Sequence, residues 1–526
     1  MAKATAAALL VLLAPAFAAG GGAARPPLLG ARQARPGLGA GARARPASAA
    51  AASSSAAPTP PAAKPSVAAV WNVSAEASWT TGVAFLDDGA TNFVASFGDW
   101  YTAPFHFAVG TAPLAGFNGT FSSSSPSVPG AVFATGGLRG AAAFSGQDFA
   151  TYEGVFAAYD ASGVGPVWLE RVAGVEGEFW QVGAPIRASL DGSVLAFSRT
   201  ALDHYDPLGP KHAEVAAVDA AAFPPRALLV DASFANGTGL EELLLSDDGS
   251  VLVAVVAQES PAGRINTSEV RVYDVAGGQR LSAFVTGYVF ASCLSADGRW
   301  LVLATCDSEN AIEVYAIDAS QGLVSQTLNS SYPSLPGTFT FAAACAVSNA
   351  GSAFVAFPLW WGGAINSSAV AFYAALPREP TAPGTFLAPT SLWQSPGIST
   401  GLQDDIISSV FLEGCGVFAY TSWGGAPTTP GGDIPPTLHV FSVASPAAPL
   451  LELATPSLDA ACGAAGSACS GSLEALDAAL DPATGDLLLL AAGLRNHANE
   501  GSTGGVVYLW RVSGLPGAFA ARPGTR

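Results

Sequence analysis

Lysine is almost missing from this chain: three in 526 residues, at Lys3, Lys64 and Lys211. Charge of any sign is scarce, at 12% of residues, and there are five histidines and one methionine. No Asp or Glu precedes Glu76, and no cysteine precedes Cys293. Each absence excludes something. None of the six cysteines stands in a C-x-x-C pair, so a zinc ribbon is excluded. After residue 75, fifteen bases face all forty acids, a net charge of −25. Such a surface repels phosphates, which argues against a nucleic-acid partner. The longest apolar run is short and contains Pro15, so no transmembrane segment is expected. No H-E-x-x-H or P-loop motif is present, and no G-x-S-x-G is evident between a strand and a helix. No catalytic residue stands out from the sequence, and no metal or cofactor is expected.

What is present is apolar and punctuated. Half the residues are hydrophobic, with 59 Gly and 38 Pro. That supplies a large core and many turns, in a chain longer than one core usually serves. One pattern recurs: an apolar strand, a polar turn ending in Gly, and a second apolar strand. It reads AFLDDGATNFVASF, IRASLDGSVLAFS, LLLSDDGSVLVAVV, CLSADGRWLVLAT and AVSNAGSAFVAF, with looser copies FATGGLRGAAAFS, FLEGCGVFAYTS and ALDPATGDLLLLAA. Asp-Gly between β-rich runs signals a hairpin, because Gly takes positive φ at little cost. The turn glycines by this pattern are Gly89, Gly140, Gly192, Gly249, Gly298, Gly351, Gly414 and Gly485.

A third apolar run follows each copy, such as EVRVYDVA and AIEVYAIDA, and a fourth follows most, such as PVWLERV at 166–172 and RLSAFVT at 280–286. Four antiparallel strands per unit, repeated in a ring, is the plan of a β-propeller. The last unit lacks a fourth strand after VVYLWRV at 506–512, and VAAVWNV at 67–73 is a spare. The expected fold is thus all-β, a propeller of eight four-stranded blades closed by an N-terminal strand; seven blades is the alternative count. VRVYDV at 270–275 and the Ser-x-Asp-Gly turns resemble WD-repeat and YVTN-type propellers over about 66–526. The units are longer than a WD repeat and none opens on Gly-His, so the resemblance implies architecture and not a partner. ALDPATGDLLL at 479–489 is similar to the repeat of quinoprotein dehydrogenases, with Leu489 where that family has Trp.

Residues 1–18 read as a signal peptide, with a basic start, an apolar stretch and a small-x-small ending at Ala16-Phe17-Ala18. Residues 19–65 are Ala-, Pro- and Arg-rich, a flexible linker by composition. Alternatively, APAFAA at 14–19 resembles the cleavage motif of plastid leaders in algae with complex plastids, and 19–65 is then a transit segment. The propeller domain is expected over 66–526. Six of eleven asparagines open an N-x-S/T triplet: Asn72, Asn118, Asn236, Asn266, Asn329 and Asn366. That excess implies an N-glycosylated chain in the secretory pathway, extracellular in destination or, by the alternative leader, in a plastid. Cys462 and Cys469 flank a small-residue loop and are the expected disulfide.

In a propeller, the second-to-third strand connections and those between blades share one face. Trp100, Trp360, Trp361, Asp404, Asp405, Trp423, Arg495, His497 and Glu500 all fall on such connections, in units six, seven, eight and one. Aromatic faces beside carboxylates and an Arg suit a carbohydrate or another amphipathic ligand. Packing between blades is the competing role for the tryptophans. His106 and His439 sit within strand patterns, which suits structural roles. His204, Tyr205 and Asp206 share a loop with His212, where metal binding is the lesser of the two readings. The functional expectation is a monomeric binding module for a protein or glycan. The alternative is a hydrolase or lyase acting on carbohydrate, which needs a pair of facing carboxylates.

Overall fold

The computed structural model divides into Met1–Ala63 and Lys64–Arg526. It describes strands from Ser66 to Ser513 and many of their turns, most continuously over 178–203, 238–259, 265–306, 311–335, 341–361, 364–395 and 406–422. All described residues lie in the second unit.

Among the described residues every strand pairing is antiparallel. The pairings give eight groups of four, called blades one to eight in chain order. Blade four, for example, is Thr238–Leu245, Val251–Glu259, Ile265–Asp274 and the first half of Gln279–Leu294. The second half of that long strand opens blade five, pairing with Trp300–Cys306. Blade eight is completed by Ser66–Glu76, which pairs with Gly504–Ser513, so Val67 faces Val512 and Glu76 faces Gly504. The spare N-terminal strand therefore closes the ring. Each blade's first strand touches the first strands of its two neighbours, and blade eight's touches blade one's. These inner strands line a central channel.

The hydrophobic clusters lie between blades. One joins Trp300, Val302 and Val314 of blade five to Val355, Phe357 and Ala371 of blade six. Others join blades three and four, four and five, six and seven, and seven and eight. Second and third strands are thus buried on both faces, which is why WLVLAT and AIEVY read as continuous apolar runs without alternation. The outer strand Ser391–Gln394 of blade six alternates between half-buried and exposed, as a one-sided edge does. Cys293 and Cys345 form a disulfide between the inner strands of blades five and six, with Cα atoms 5.7 Å apart. The expected Cys462–Cys469 pair lies outside the described residues.

The Ser-x-Asp-Gly signature has a local explanation. In blade four, the Ser246 hydroxyl donates to Asp248 at 2.7 Å and accepts from the Val251 N–H at 2.9 Å, while Gly249 N–H donates to Ser246 O. Ser189–Asp191 and Ser295–Asp297 repeat the arrangement. Gly249 has φ +72°, and a Cβ there would stand 2.7 Å from a Val194 methyl of blade three. Positive φ and close approach both require Gly at this position. In blade seven the repeat pattern points to Gly414. The residue with positive φ is instead Gly416, because Glu413–Cys415 form a 3-10 turn that moves the left-handed position two residues on. Gly89 and Gly140 lie outside the described residues.

Candidate functional site

Antiparallel hairpins put the described glycine turns, those of blades three to eight, at one end of the ring, and the second-to-third and inter-blade strand ends at the other. The two ends differ. At the glycine end, neighbouring turns are tied to one another. Leu190 N–H donates to Asp247 O and Asp247 N–H donates to Ala296 O, both at 2.8 Å. Asp297 N–H donates to the Asn349 side chain at 2.8 Å, and Asn349 N–H donates to Glu413 at 3.0 Å. Five consecutive blades are joined this way. Burial, with Asp297 and Asp247 nearby, raises the Glu413 carboxyl above its ordinary range.

Three of the residues singled out from the sequence are described, and each closes a strand at the other end. Trp360 and Trp361 close the second strand of blade six, Ala353–Trp361. Arg495 closes the second strand of blade eight, Leu487–Arg495, opposite Gly504. Trp100, Asp404, Asp405, Trp423, His497 and Glu500 lie outside the described residues. Of the sequons, Asn266 and Asn366 fall near the starts of third strands and Asn329 near the end of an outer strand, all toward this same end. Asn329 is exposed. Asn72 lies in the closing strand, and Asn118 and Asn236 are outside the described residues. Among the histidines, His439 is buried, stacks on Tyr420 at 4.8 Å and stands 3.4 Å from Glu452. That is a packing role. Trp300 and Trp510 pack in the clusters between blades.

The channel wall carries polar residues that the repeat pattern does not single out. Glu242, on the inner strand of blade four, accepts from the Ser292 hydroxyl of blade five at 2.6 Å and lies 3.9 Å from Arg187 of blade three. Asp477, on the inner strand of blade eight, accepts from Phe85 N–H of blade one at 2.7 Å and from Ala478 N–H at 2.8 Å. Each sits three residues before the last paired residue of its strand, Leu245 and Leu480, so the two stand at one level on blades four apart. Both tie an inner strand to the next blade. Burial pushes the Asp477 carboxyl up to about 6, against the pull of its two N–H donors. Glu241, beside Glu242, is pushed up to about 7 by burial and by Glu242. The available signal was an acid within an apolar inner-strand run, LEELLL and LEALDAAL.

A third feature is a groove on the rim of blade five. A cavity of 380 Å³ is lined by Glu313, Gln326 and Asn329 on one side and by Thr381, Thr385 and Phe386 on the other. Segment 381–387 is laid along the outer strand Leu323–Ser331, with Thr381 N–H donating to Thr327 O and Leu387 N–H to the Ser330 hydroxyl, both at 2.9 Å. Glu313 is held by Thr286 at 2.7 Å and Tyr315 at 2.6 Å.

No family model matches the sequence, and no curated protein matches it. Solved structures do. The Dos1 propeller is similar at 10% identity and TM-score 0.50, covering 85% of this chain and 95% of that one. Sqt1 from Chaetomium thermophilum is similar at 12% identity and TM-score 0.50, covering 85% and 99%. The chain is a β-propeller; identities this low carry the fold and no activity. Among the described residues, no helix is long and apolar enough to cross a membrane.

Proposed function

We propose that this protein is a secretory-pathway, N-glycosylated binding module that engages a protein or glycan through the propeller face opposite its glycine turns. One observation carries the reading: the two faces are chemically unequal. The glycine face ties its turns together through hydrogen bonds from blade three to blade seven. The opposite face holds the strand ends Trp360, Trp361 and Arg495, and the repeat plan assigns to it the connections that carry Trp100, Asp404, Asp405, Trp423, His497 and Glu500. Indole faces cover the apolar C–H surface of a sugar or a side chain, while the charged groups fix its orientation. The sequons and the N-terminal leader support passage through the endoplasmic reticulum, with the extracellular space as destination and a plastid as the alternative.

A glycan array and a polysaccharide activity screen, run on the same protein, test this. The expected result is binding without turnover, reduced at least tenfold in a Trp360→Ala/Trp361→Ala/Trp423→Ala variant that folds normally. A protein ligand would show the same loss by cross-linking from this face. Turnover abolished by Asp404→Asn or Glu500→Gln would replace the module with a carbohydrate-active enzyme. Unchanged binding in the tryptophan variant would refute the choice of face.

A further inference from the structure

The rim of blade five carries a sequon whose two recognition groups face outward together. N-glycosylation needs the asparagine amide and the hydroxyl two positions on, and residues two apart in a strand share a face. In Asn329-Ser330-Ser331, at the end of the outer strand Leu323–Ser331, both Asn329 and Ser331 are exposed, while Ser330 between them is buried. The corresponding serines of two other sequons are packed between blades. Ser268, of the Asn266 sequon, is fully buried and accepts from Val289 N–H at 3.0 Å. Ser368, of the Asn366 sequon, is fully buried and hydrogen-bonded to the Tyr420 hydroxyl at 2.9 Å.

Asn329 opens onto a built groove. It pairs with Glu313 across the strand ladder, and Asn329, Glu313 and Gln326 line two cavities in common. The first, of 380 Å³, also takes in Ser331 and segment 381–386 from blade six. The second, of 520 Å³, extends to Phe284, Val285 and Thr286 on the outer strand of blade four. Both volumes fall in the range of about 300–1,000 Å³ in which small ligands are held. The blade-six segment is fastened to the sequon itself: Leu387 N–H donates to the Ser330 hydroxyl at 2.9 Å. That bond holds Phe386, which is 57% exposed, at the cavity that Asn329 lines. The one carboxylate of the groove, Glu313, has an oxygen bonded by Thr286 at 2.7 Å and the other by Tyr315 at 2.6 Å. The lining is thus hydroxyls, amides and a neutralised acceptor beside an exposed ring, the chemistry that suits a sugar more than an ion.

We propose that an N-glycan on Asn329 lies in this groove instead of projecting from the rim, with its innermost N-acetylglucosamine in the 380 Å³ cavity against Phe386. The ring covers the apolar C–H face of the sugar, and Gln326 and Thr385 supply partners for its hydroxyl and amide groups. The covalent link to Asn329 makes the sugar an intramolecular ligand at high effective concentration, so a groove too weak for a free sugar holds a tethered one. Seated there, the glycan joins the blade-six segment to the outer strand of blade five and leaves the groove closed to other ligands. This rests on the reading of the chain as a secretory-pathway protein and adds what one of its glycans does.

The test uses the full chain secreted from cultured animal cells that keep their glycans high-mannose. Glycopeptide mass spectrometry gives the occupancy of each sequon, and hydrogen exchange over 381–387 reports on the blade-six segment. Asn329 is expected to be occupied. Exchange over 381–387 is expected to be about fivefold slower, or more, than in Ser331→Ala, which loses the glycan and keeps Asn329. Endoglycosidase trimming to a single N-acetylglucosamine should keep that protection, and Phe386→Ser should abolish it with the glycan still attached. The proposal is overturned if Asn329 is bare while other sequons are occupied, or if exchange over 381–387 is the same with and without the glycan. Protection that vanishes on trimming, or survives in Phe386→Ser, overturns it as well. Should Ser331→Ala not be secreted, amidase release of the glycans from the folded protein supplies the bare groove for the comparison. A bare Asn329 beside occupied sequons leaves the secretory-pathway reading standing, whereas a chain with no sequon occupied removes both.

Discussion

Arg271 is the side chain whose removal should damage the ring most. It lies on the third strand of blade four and is 5% exposed. Its Nε donates to Glu269 at 2.6 Å; Nη1 donates to Asp231 at 3.0 Å and to the Ser233 hydroxyl at 2.9 Å; Nη2 donates to Ser233 O at 3.2 Å. The guanidinium lies 3.7 Å above the Phe234 ring. Asp231 and Ser233 belong to the end of blade three, so one residue fastens two blades. Arg271→Met keeps most of the volume and the contact with Phe234, and takes the buried cation from two carboxylates that are only 13% and 14% exposed, leaving Asp231 the more exposed Arg280 at 3.7 Å and Glu269 the Gln258 amide at 3.1 Å. Breaking a buried pair from one side costs about 3–5 kcal/mol. Adding Asp231→Asn removes one of these charges and should recover about 1–2 kcal/mol of that. Urea unfolding read by tryptophan fluorescence gives the loss, and hydrogen exchange at the Val270 and Val272 amides locates it. The pH profile is a second signature. Burial raises the Asp231 carboxyl, but bonds from Ser233, Tyr273 and Arg271 outweigh it and hold the group at about 2. A depressed acid stabilises the fold above its unfolded value and loses that contribution as pH falls from about 4 toward 2, here about 2 kcal/mol. Arg271→Met should flatten this stretch. A loss under about 1 kcal/mol, or full additivity of Arg271→Met and Asp231→Asn, would refute a shared network.

Other contacts give three further outcomes. Replacing Cys293 and Cys345 by Ser opens a link across 52 residues, and chain entropy puts the loss at about 4 kcal/mol, read as a lower urea midpoint. Gly249→Ala should cost more than Gly384→Ala by about 1–2 kcal/mol, since both have positive φ but only Gly249 would drive a Cβ onto Val194; equal midpoints would show that the turn shifts freely. Glu241→Gln should stabilise the protein at pH 8 and leave it unchanged at pH 4. The Glu241 carboxyl stands at about 7, raised by burial and Glu242, so the folded state holds the proton longer and stability falls, by up to about 3 kcal/mol, as pH rises from about 4.5 to 7. Thermal melts across that range, with Tyr288 and Glu242 unaltered, check the sign.

The repeat, the four strands per unit and the closing strand are legible because each is a local pattern. Hairpin turns are fixed by a few residues, as Ser246, Asp248 and Gly249 show, and a strand buried on both faces must be apolar throughout. The unpaired run at 67–73 announces closure because the last unit lacks one strand. Gly414 stands out in place of Gly416 for the opposite reason: a 3-10 turn moves the left-handed residue without altering composition. The disulfide is not legible, since Cys293 and Cys345 meet only when two inner strands stand side by side.

Architecture is thus written locally, in periodicity and turn chemistry that need no distant partner. Which polar groups count is settled only in the assembled ring. There Asp231, Arg271 and Tyr273 become one network, Glu242 and Asp477 become ties between blades, and the Glu241 carboxyl is raised by burial and by Glu242 beside it. Desolvation and pairing belong to the space between blades, where residues 40 to 392 positions apart share one environment.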